Sequence, residues 1–151
     1  YWSDVMKKSY EDFGLVGENL TIDTFDEKDV LIGDEYRIGT TLLQISQPRI
    51  PCYKVGIKMN SREFPKLFSQ SGLLGSYMRV IEPGRINIGD SVELSKRNDG
   101  SMSIFEISQL LFVDLKNIEG MKRAINLKHL SEEIKEKFRE RLMKLGDFSS
   151  L

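Results

Sequence analysis

Apolar residues at the head of the chain fall at spacings of three and four: Trp2, Val5, Met6, Tyr10 and Phe13. That period predicts a short amphipathic helix over 1–13, with Gly14 as its C-terminal stop. Residues 15–58 then read mostly as strands. Val30-Leu31-Ile32 is a short β-branched, apolar run, Gly33-Asp34 is a turn signal, and Tyr36-Arg37-Ile38 alternates. Residues 42–47 form the longest strand candidate. Pro48 and Pro51 supply no ladder N–H, so 48–54 is expected as an edge, bulge or loop. The helical period returns over 60–71. There Phe64, Leu67 and Phe68 share a face, Asn60 or Ser61 can cap, and Pro65 fits in or near the first turn. Residues 77–81 predict another strand, ending in the turn 82–85.

A weak internal repeat is present. Ile32-Gly33-Asp34 leads into one strand, and Ile88-Gly89-Asp90 leads into Ser91-Val92-Glu93-Leu94. A Gly-Asp turn feeding a strand twice suggests similar hairpins in a closed or sandwich-like β architecture.

At 95–100 the composition changes to polar and turn-rich residues, and the rest of the chain reads as helical. Ser103-Ile104-Phe105-Glu106 is a capping box, and Ile104, Ile107, Leu110 and Leu111 form an apolar stripe. Residues 118–125 predict a second helix. A third starts at Ser131 with Glu132 and Glu133 at the positive end of its dipole, burying Ile134, Phe138, Leu142 and Leu145. Its cations Lys135, Lys137, Arg139, Arg141 and Lys144 interleave with Glu136 and Glu140, the pattern of a solvated face with internal ion pairs.

Composition narrows the function. The 151 residues carry 22 basic and 23 acidic side chains, a formal charge of −1, so binding to nucleic acid by bulk charge is not expected. The single cysteine, Cys52, excludes an internal disulfide, and with the single histidine, His129, it cannot build a zinc site alone. No apolar run reaches the ~20 residues that span a bilayer. The chain opens Tyr1-Trp2-Ser3-Asp4, without a charged and apolar signal segment, so a cytoplasmic home and an N-terminally incomplete domain are expected. Walker, dinucleotide-glycine, nucleophile-elbow and metalloprotease motifs are all missing.

The segment around Cys52 is what remains. A lone cysteine is commonly a small buried hydrophobe. Here two prolines stiffen the backbone before it, and Arg49 and Lys54 flank it, where positive charge favours a thiolate. On a strand Lys54 would share a face with Cys52, whereas Arg49 needs a backbone irregularity to join them. From the residues alone, a reactive and a structural cysteine are equally open.

Gly17-Glu18-Asn19-Leu20, Ile32-Gly33-Asp34, Gln47-Pro48-Arg49-Ile50-Pro51-Cys52-Tyr53-Lys54, Gly75-Ser76-Tyr77-Met78-Arg79-Val80 and Ile88-Gly89-Asp90 occur in the order and at the spacing of MOSC domains. The chain resembles that family, and its tail resembles the three-helix extension of the YiiM-like branch. The resemblance implies a mixed α+β, mainly β fold. A MOSC-type β-barrel with short flanking helices would occupy 1–97, and a small three-helix subdomain 98–151.

It implies binding of the molybdenum cofactor (molybdopterin), with Cys52 as the protein's sulfur ligand to the metal and as the catalytic position. Arg49, Lys54 and Arg79 are the implied partners of the cofactor phosphate. Glu18 and Asn19 would bond the pterin edge, and Gln47 completes the binding set. A His-Gly-Gly stretch that the family carries upstream is missing from these residues, so the implied ligand set is incomplete.

The implied activity is reduction of N-hydroxylated small molecules, such as hydroxylamino-purine base analogues, to amines. A separate flavin reductase would be the electron donor, and a homodimer is left open. Two alternatives stand beside it: a sulfur carrier with a persulfide on Cys52, and a non-catalytic cofactor-binding module.

Overall fold

The computed structural model describes residues 2–7 and 13–147. Its elements in chain order are α1 (Trp2–Met6), β1 (Glu35–Ile38), β2 (Thr41–Pro48), α2 (Tyr53–Lys58), α3 (Phe64–Ser71), β3 (Ser76–Glu82), β4 (Val92–Lys96), α4 (Ile104–Phe112), α5 (Ile118–Ile125) and α6 (Glu132–Lys144). The class is mixed α and β, as expected.

The strands form one antiparallel sheet in the order β3-β2-β1-β4. The expected barrel is not formed by the described residues. β3 and β4 each pair on one side only, and four strands are too few to bend round and join edges. β2 lies inside the sheet and is buried along its whole length. β3 and β4 are largely exposed, as edge strands are.

Two clusters make the core. In the larger one, Ile32, Tyr36 and Ile45 from the sheet region pack with Ile104, Ile107, Met121, Ile134, Phe138 and Leu142 from α4, α5 and α6. Short helices gain their stability from such packing, and this cluster runs across the composition change at 95–100. In the smaller cluster Val55 and Met59 of α2 meet Phe64 and Phe68 of α3, with Trp2 against both phenylalanine rings at 5.0 and 5.4 Å.

The C-terminal helices follow their local signals. The Glu106 amide donates to Ser103 Oγ at 3.1 Å, and the Ser103 amide to Glu106 Oε2 at 2.7 Å, completing the capping box. On α6, Lys137 pairs with Glu133, Lys135 with Glu132, and Arg139 with Glu132 and Glu136. Leu145, expected on the buried face, is the C-cap and is exposed.

Elsewhere the structure departs from the pattern. Residues 13–29 hold no strand, and Val30-Leu31-Ile32 makes a single bridge, Leu31 to Ser103, instead of one. Residues 53–58, expected as extended or loop, are helical. The helix expected over 60–71 starts at Phe64, because Asn60 has φ +48° and ends α2's turn. In the first segment Val5 and Phe13 are exposed, and Tyr10 lies outside the described residues.

The repeat is a real repeat of turn geometry. Gly33 and Gly89 have φ of +90° and +89°. Asp34 Oδ2 accepts from the Leu31 amide at 3.0 Å, and Asp90 Oδ2 accepts from the Asn87 amide at 2.7 Å. The two turns feed β1 and β4, which pair with each other; β1 also makes a hairpin with β2, whereas β4 pairs with β1 alone among the described strands.

They differ in surroundings. A Cβ on Gly33 would lie 2.6 Å from Asn98 Nδ2 and 2.8 Å from the His129 ring, whereas one on Gly89 meets nothing within 4 Å. Gly89→Ala is therefore expected to cost only the left-handed backbone penalty of about 1–2 kcal/mol. Gly33→Ala adds an overpacking cost of about 1–3 kcal/mol. Urea midpoints of the two variants check this, and equal losses would refute it.

Candidate functional site

β2 ends at Pro48, whose nitrogen cannot extend the ladder. The next amide, Arg49, donates to the Gly75 carbonyl at 3.1 Å and ties the chain to the start of β3. Ile50 and Pro51 carry it to Cys52, whose backbone is extended (φ −124°, ψ 170°) and which is the N-cap of α2. The thiol is free, exposed, and makes no capping hydrogen bond. Lys54 lies in the first turn of α2 and is exposed. It is on a helix, so the strand argument for a face shared with Cys52 does not apply.

Arg49 turns the other way. It lines a cavity of about 910 Å³, large for a small-molecule site, whose walls include Gly17, Glu18, Asn19, Phe68, Gly75, Ser76, Leu43, Met78 and Val80. Its guanidinium carbon stands 5.7 Å from the centre of the Phe68 ring. Its Nη2 is 3.4 Å from where a Cβ on Gly17 would stand, an ordinary contact distance, so the guanidinium lies against the Gly17 backbone, whose φ is +85°. Its Nη1 is buried and has no hydrogen-bond partner. A buried guanidinium nitrogen without an acceptor is costly, and a bound anion would satisfy it.

The other candidates are dispersed. Asn19 lines the cavity with an exposed side chain. Glu18 also lines it, yet its carboxylate is engaged by its own loop. Oε1 accepts from the Gly14 amide at 2.7 Å and Oε2 from the Val16 amide at 3.0 Å, with the Thr21 hydroxyl at 3.4 Å. Burial pushes this carboxyl up. Hydrogen bonds from the amides of Glu18 itself, Gly14 and Val16 and from Thr21 outweigh that and hold it below the ordinary glutamate value.

The carboxylate form is thus the one that closes the loop. Its stabilising effect is present above the ordinary glutamate range and is lost as pH falls through the lowered value. The protection factors of the Gly14 and Val16 amides, with the intrinsic pH dependence of exchange divided out, are expected to fall on acidification into that range, and to be low at every pH in Glu18→Gln.

Gln47 is buried in β2 opposite Tyr77 and is not part of the cavity wall. Arg79 sits between Met78 and Val80, so strand alternation sends it to the opposite face of the sheet. There its Nη1 donates to the His129 carbonyl at 2.8 Å. His129 packs at Gly33, and burial, followed by the nearby cations Lys128, Arg79 and Lys96, holds its pKa below the ordinary histidine value. The structure therefore brings Arg49, Asn19 and Glu18 to one cavity. Cys52, Lys54, Gln47 and Arg79 are not among its lining residues.

Sequence reasoning missed Thr41. Its Oγ1 is the other buried, unpartnered side-chain atom among the described residues, and it lines the same cavity at the far end of β2. The only available signal was its position beginning a strand, which does not tell a ligand contact from an ordinary half-buried threonine. No group of three or more His, Cys, Asp or Glu side chains that could hold a metal exists among the described residues.

The family description "MOSC domain" matches residues 1–93, and "YiiM-like, 3-alpha helix domain" matches residues 102–145. The chain is 32% identical over 138 residues to the uncharacterized protein YflK of Bacillus subtilis (strain 168), covering 91% of this chain and 62% of that protein. It is 33% identical over 101 residues to a Gibberella moniliformis protein named reductase, covering 66% of this chain and 18% of that one. The crystal structure of YiiM from Geobacillus stearothermophilus superposes with a TM-score of 0.88 at 36% identity, over 94% of this chain and 72% of that one. The chain thus spans less than two thirds of the length of the curated relatives it matches. No helix among the described residues is long and apolar enough to cross a membrane.

Proposed function

Because the chain belongs to the MOSC family and carries the YiiM-like three-helix domain behind it, we propose that it is the cofactor-binding part of a molybdenum-dependent reductase. Its substrates are N-hydroxylated small molecules such as hydroxylamino-purines, and it works in the cytoplasm. The observation that carries this reading is the unpartnered Nη1 of Arg49 in a large cavity, three residues before an exposed cysteine. MOSC domains are generally associated with molybdenum-cofactor binding, and a reductase-named relative adds support.

The residues fit such a group. Arg49 offers a buried, charge-assisted donor for a phosphate. Asn19 offers an amide to the edge of a polar heterocycle. Cys52 offers a thiolate, a soft ligand suited to a thiophilic metal. When bound, the cofactor supplies two-electron removal of an oxygen atom. The overall change is R–NHOH + 2 electrons + 2 protons giving R–NH₂ + H₂O, in which the N–O bond breaks and the oxygen leaves as water. The chain's share is to hold the group, orient it and wall it with apolar side chains such as Phe68, Leu43 and Val80.

The test is to express the full-length protein in a host that makes the cofactor. Bound molybdenum and viologen-driven reduction of a hydroxylamino-purine are then measured. About one metal per chain and amine formation are expected; metal-free protein sinks the reading.

A second reading is favoured by one observation: Cys52 lies outside the cavity wall and is open to solvent. In that reading Cys52 carries a persulfide. A stable mass gain of one sulfur at Cys52 after incubation with a cysteine desulfurase, without metal binding, selects it. Metal-loaded protein inactive toward hydroxylamines would select the non-catalytic module.

A further inference from the structure

The residue after Cys52 begins an unusual surface. Tyr53 and Ile57 stand one turn apart on α2 and are 70% and 71% exposed. With Arg62 and Pro65 they border a groove of about 450 Å³ between α2 and α3. Over residues 53–66 the charges are Lys54, Lys58, Arg62 and Lys66 against Glu63 alone, a strong local excess in a chain of net charge −1.

None of these four cations is in an ion pair among the described residues; only Lys58 has a polar partner, the Gly14 carbonyl. On α6, by contrast, Lys135, Lys137 and Arg139 are each paired with glutamates. Helices α2 and α3 and the loop between them therefore carry positive charge without acidic partners, and Arg62 places part of it on the groove wall with Tyr53 and Ile57. That is the anatomy of a protein interface, with an apolar anchor and a charged rim that steers an opposite partner.

We infer that this surface docks the acidic face of a protein electron donor of the flavodoxin type. The inference rests on the reductase reading. Reduction of one N–OH group consumes two electrons. A flavin mononucleotide hydroquinone can supply both, becoming the quinone, and NADPH restores it through the donor's own reductase. Electrons pass only over short distances, so the donor must sit near Cys52, and the next residue, Tyr53, is on the groove wall. Protein is favoured over nucleic acid because Tyr53 is a single aromatic beside the aliphatic Ile57 and Pro65, where a base-stacking track needs successive rings, and Arg62 is the one cation lining the groove, too few for a backbone-tracking stripe.

The experiment uses cofactor-loaded full-length protein as wild type, Ile57→Glu, and Arg62→Glu with Lys66→Glu. All three positions are exposed or rim positions outside the cavity. Turnover is driven first by reduced methyl viologen, then by purified flavodoxin kept reduced with NADPH and its reductase. Flavodoxin affinity is measured separately by calorimetry.

Viologen-driven rates should be unchanged in both variants. The flavodoxin KM and Kd should rise tenfold or more, and the wild-type Kd should weaken steeply with salt. Unchanged flavodoxin affinity in both variants overturns the inference. So does a viologen-active wild type that flavodoxin cannot drive. So does single-stranded DNA binding that both variants abolish while flavodoxin affinity stays put. A wild type dead with viologen fails the reductase reading instead, and the calorimetric comparison still decides the docking surface.

Discussion

Cys52→Ala is expected to lose bound molybdenum to background and to lower N-hydroxyl reduction at least a hundredfold. Replacing groups that merely support a metal ligand costs about 10–100-fold, so removing the proposed ligand itself should cost more. The loss should not come from unfolding. Cys52 is exposed, its side chain makes no capping bond, and it lies outside both core clusters. The thermal midpoint of apo Cys52→Ala should match apo wild type within about 1 °C, in line with surface substitutions. There is no second cysteine to take over, so nothing in the chain rescues the ligand. Metal content equal to wild type in the variant defeats the assignment of Cys52 as ligand, whatever happens to activity.

The largest structural effect is expected at Asp34. Its carboxylate is fully buried, and three donors converge on it: the Leu31 amide at 3.0 Å, the Asn98 amide at 2.8 Å and the Arg97 guanidinium at 2.7 Å. It thereby joins the turn before β1 to the residues that follow β4. Asp34→Ala orphans two part-buried amides, at roughly 1–3 kcal/mol each. Arg97 is partly open to water and can rehydrate, so the pair itself adds less than a sealed ion pair would. The expected loss is about 3 kcal/mol, about 6–12 °C in Tm for a chain of this size.

Asp90 is the internal control. It makes the same turn, but its neighbours are exposed, and Asp90→Ala should cost about 1 kcal/mol. Calorimetric unfolding of the two variants checks the difference. Equal losses would mean that the turn, rather than the buried junction, sets the cost.

The comparison of these aspartates shows what local sequence conveys. Both Ile-Gly-Asp segments announced a turn, because glycine at positive φ followed by aspartate is a local device. Only the fold made one of them a junction and left the other at the surface. The C-terminal helices were legible for the same reason. Ser103 and Glu106 satisfy each other within one turn, Asn117 caps α5, and Ser131 caps α6, so those signals act over a few residues. Helix α2 was not legible. It is six residues long, contains Gly56 and comes after two prolines, so it has no periodic stripe to read.

The candidate site divides along the same line. Alternation along a strand assigns faces only while the register is unbroken. β2 shifts register against β3 between Ile45 and Gln47 and then runs out at Pro48. Counting residues therefore could not tell that Arg49 enters the cavity, that Cys52 and Lys54 stay outside its wall, or that Arg79 reaches the helices on the other face.

What the sequence determined by itself was the short-range part: the turns, the capped helices, the lone thiol in its proline-flanked segment, and through that motif the family. The tertiary structure decided the long-range part. It left the sheet open at both edges, extended one core across the change in composition, and buried the Arg49 nitrogen without a partner. Whether a polar group is satisfied depends on which distant segment comes to rest against it, and here Gly17, Phe68 and Gly75 come from three separate stretches of chain.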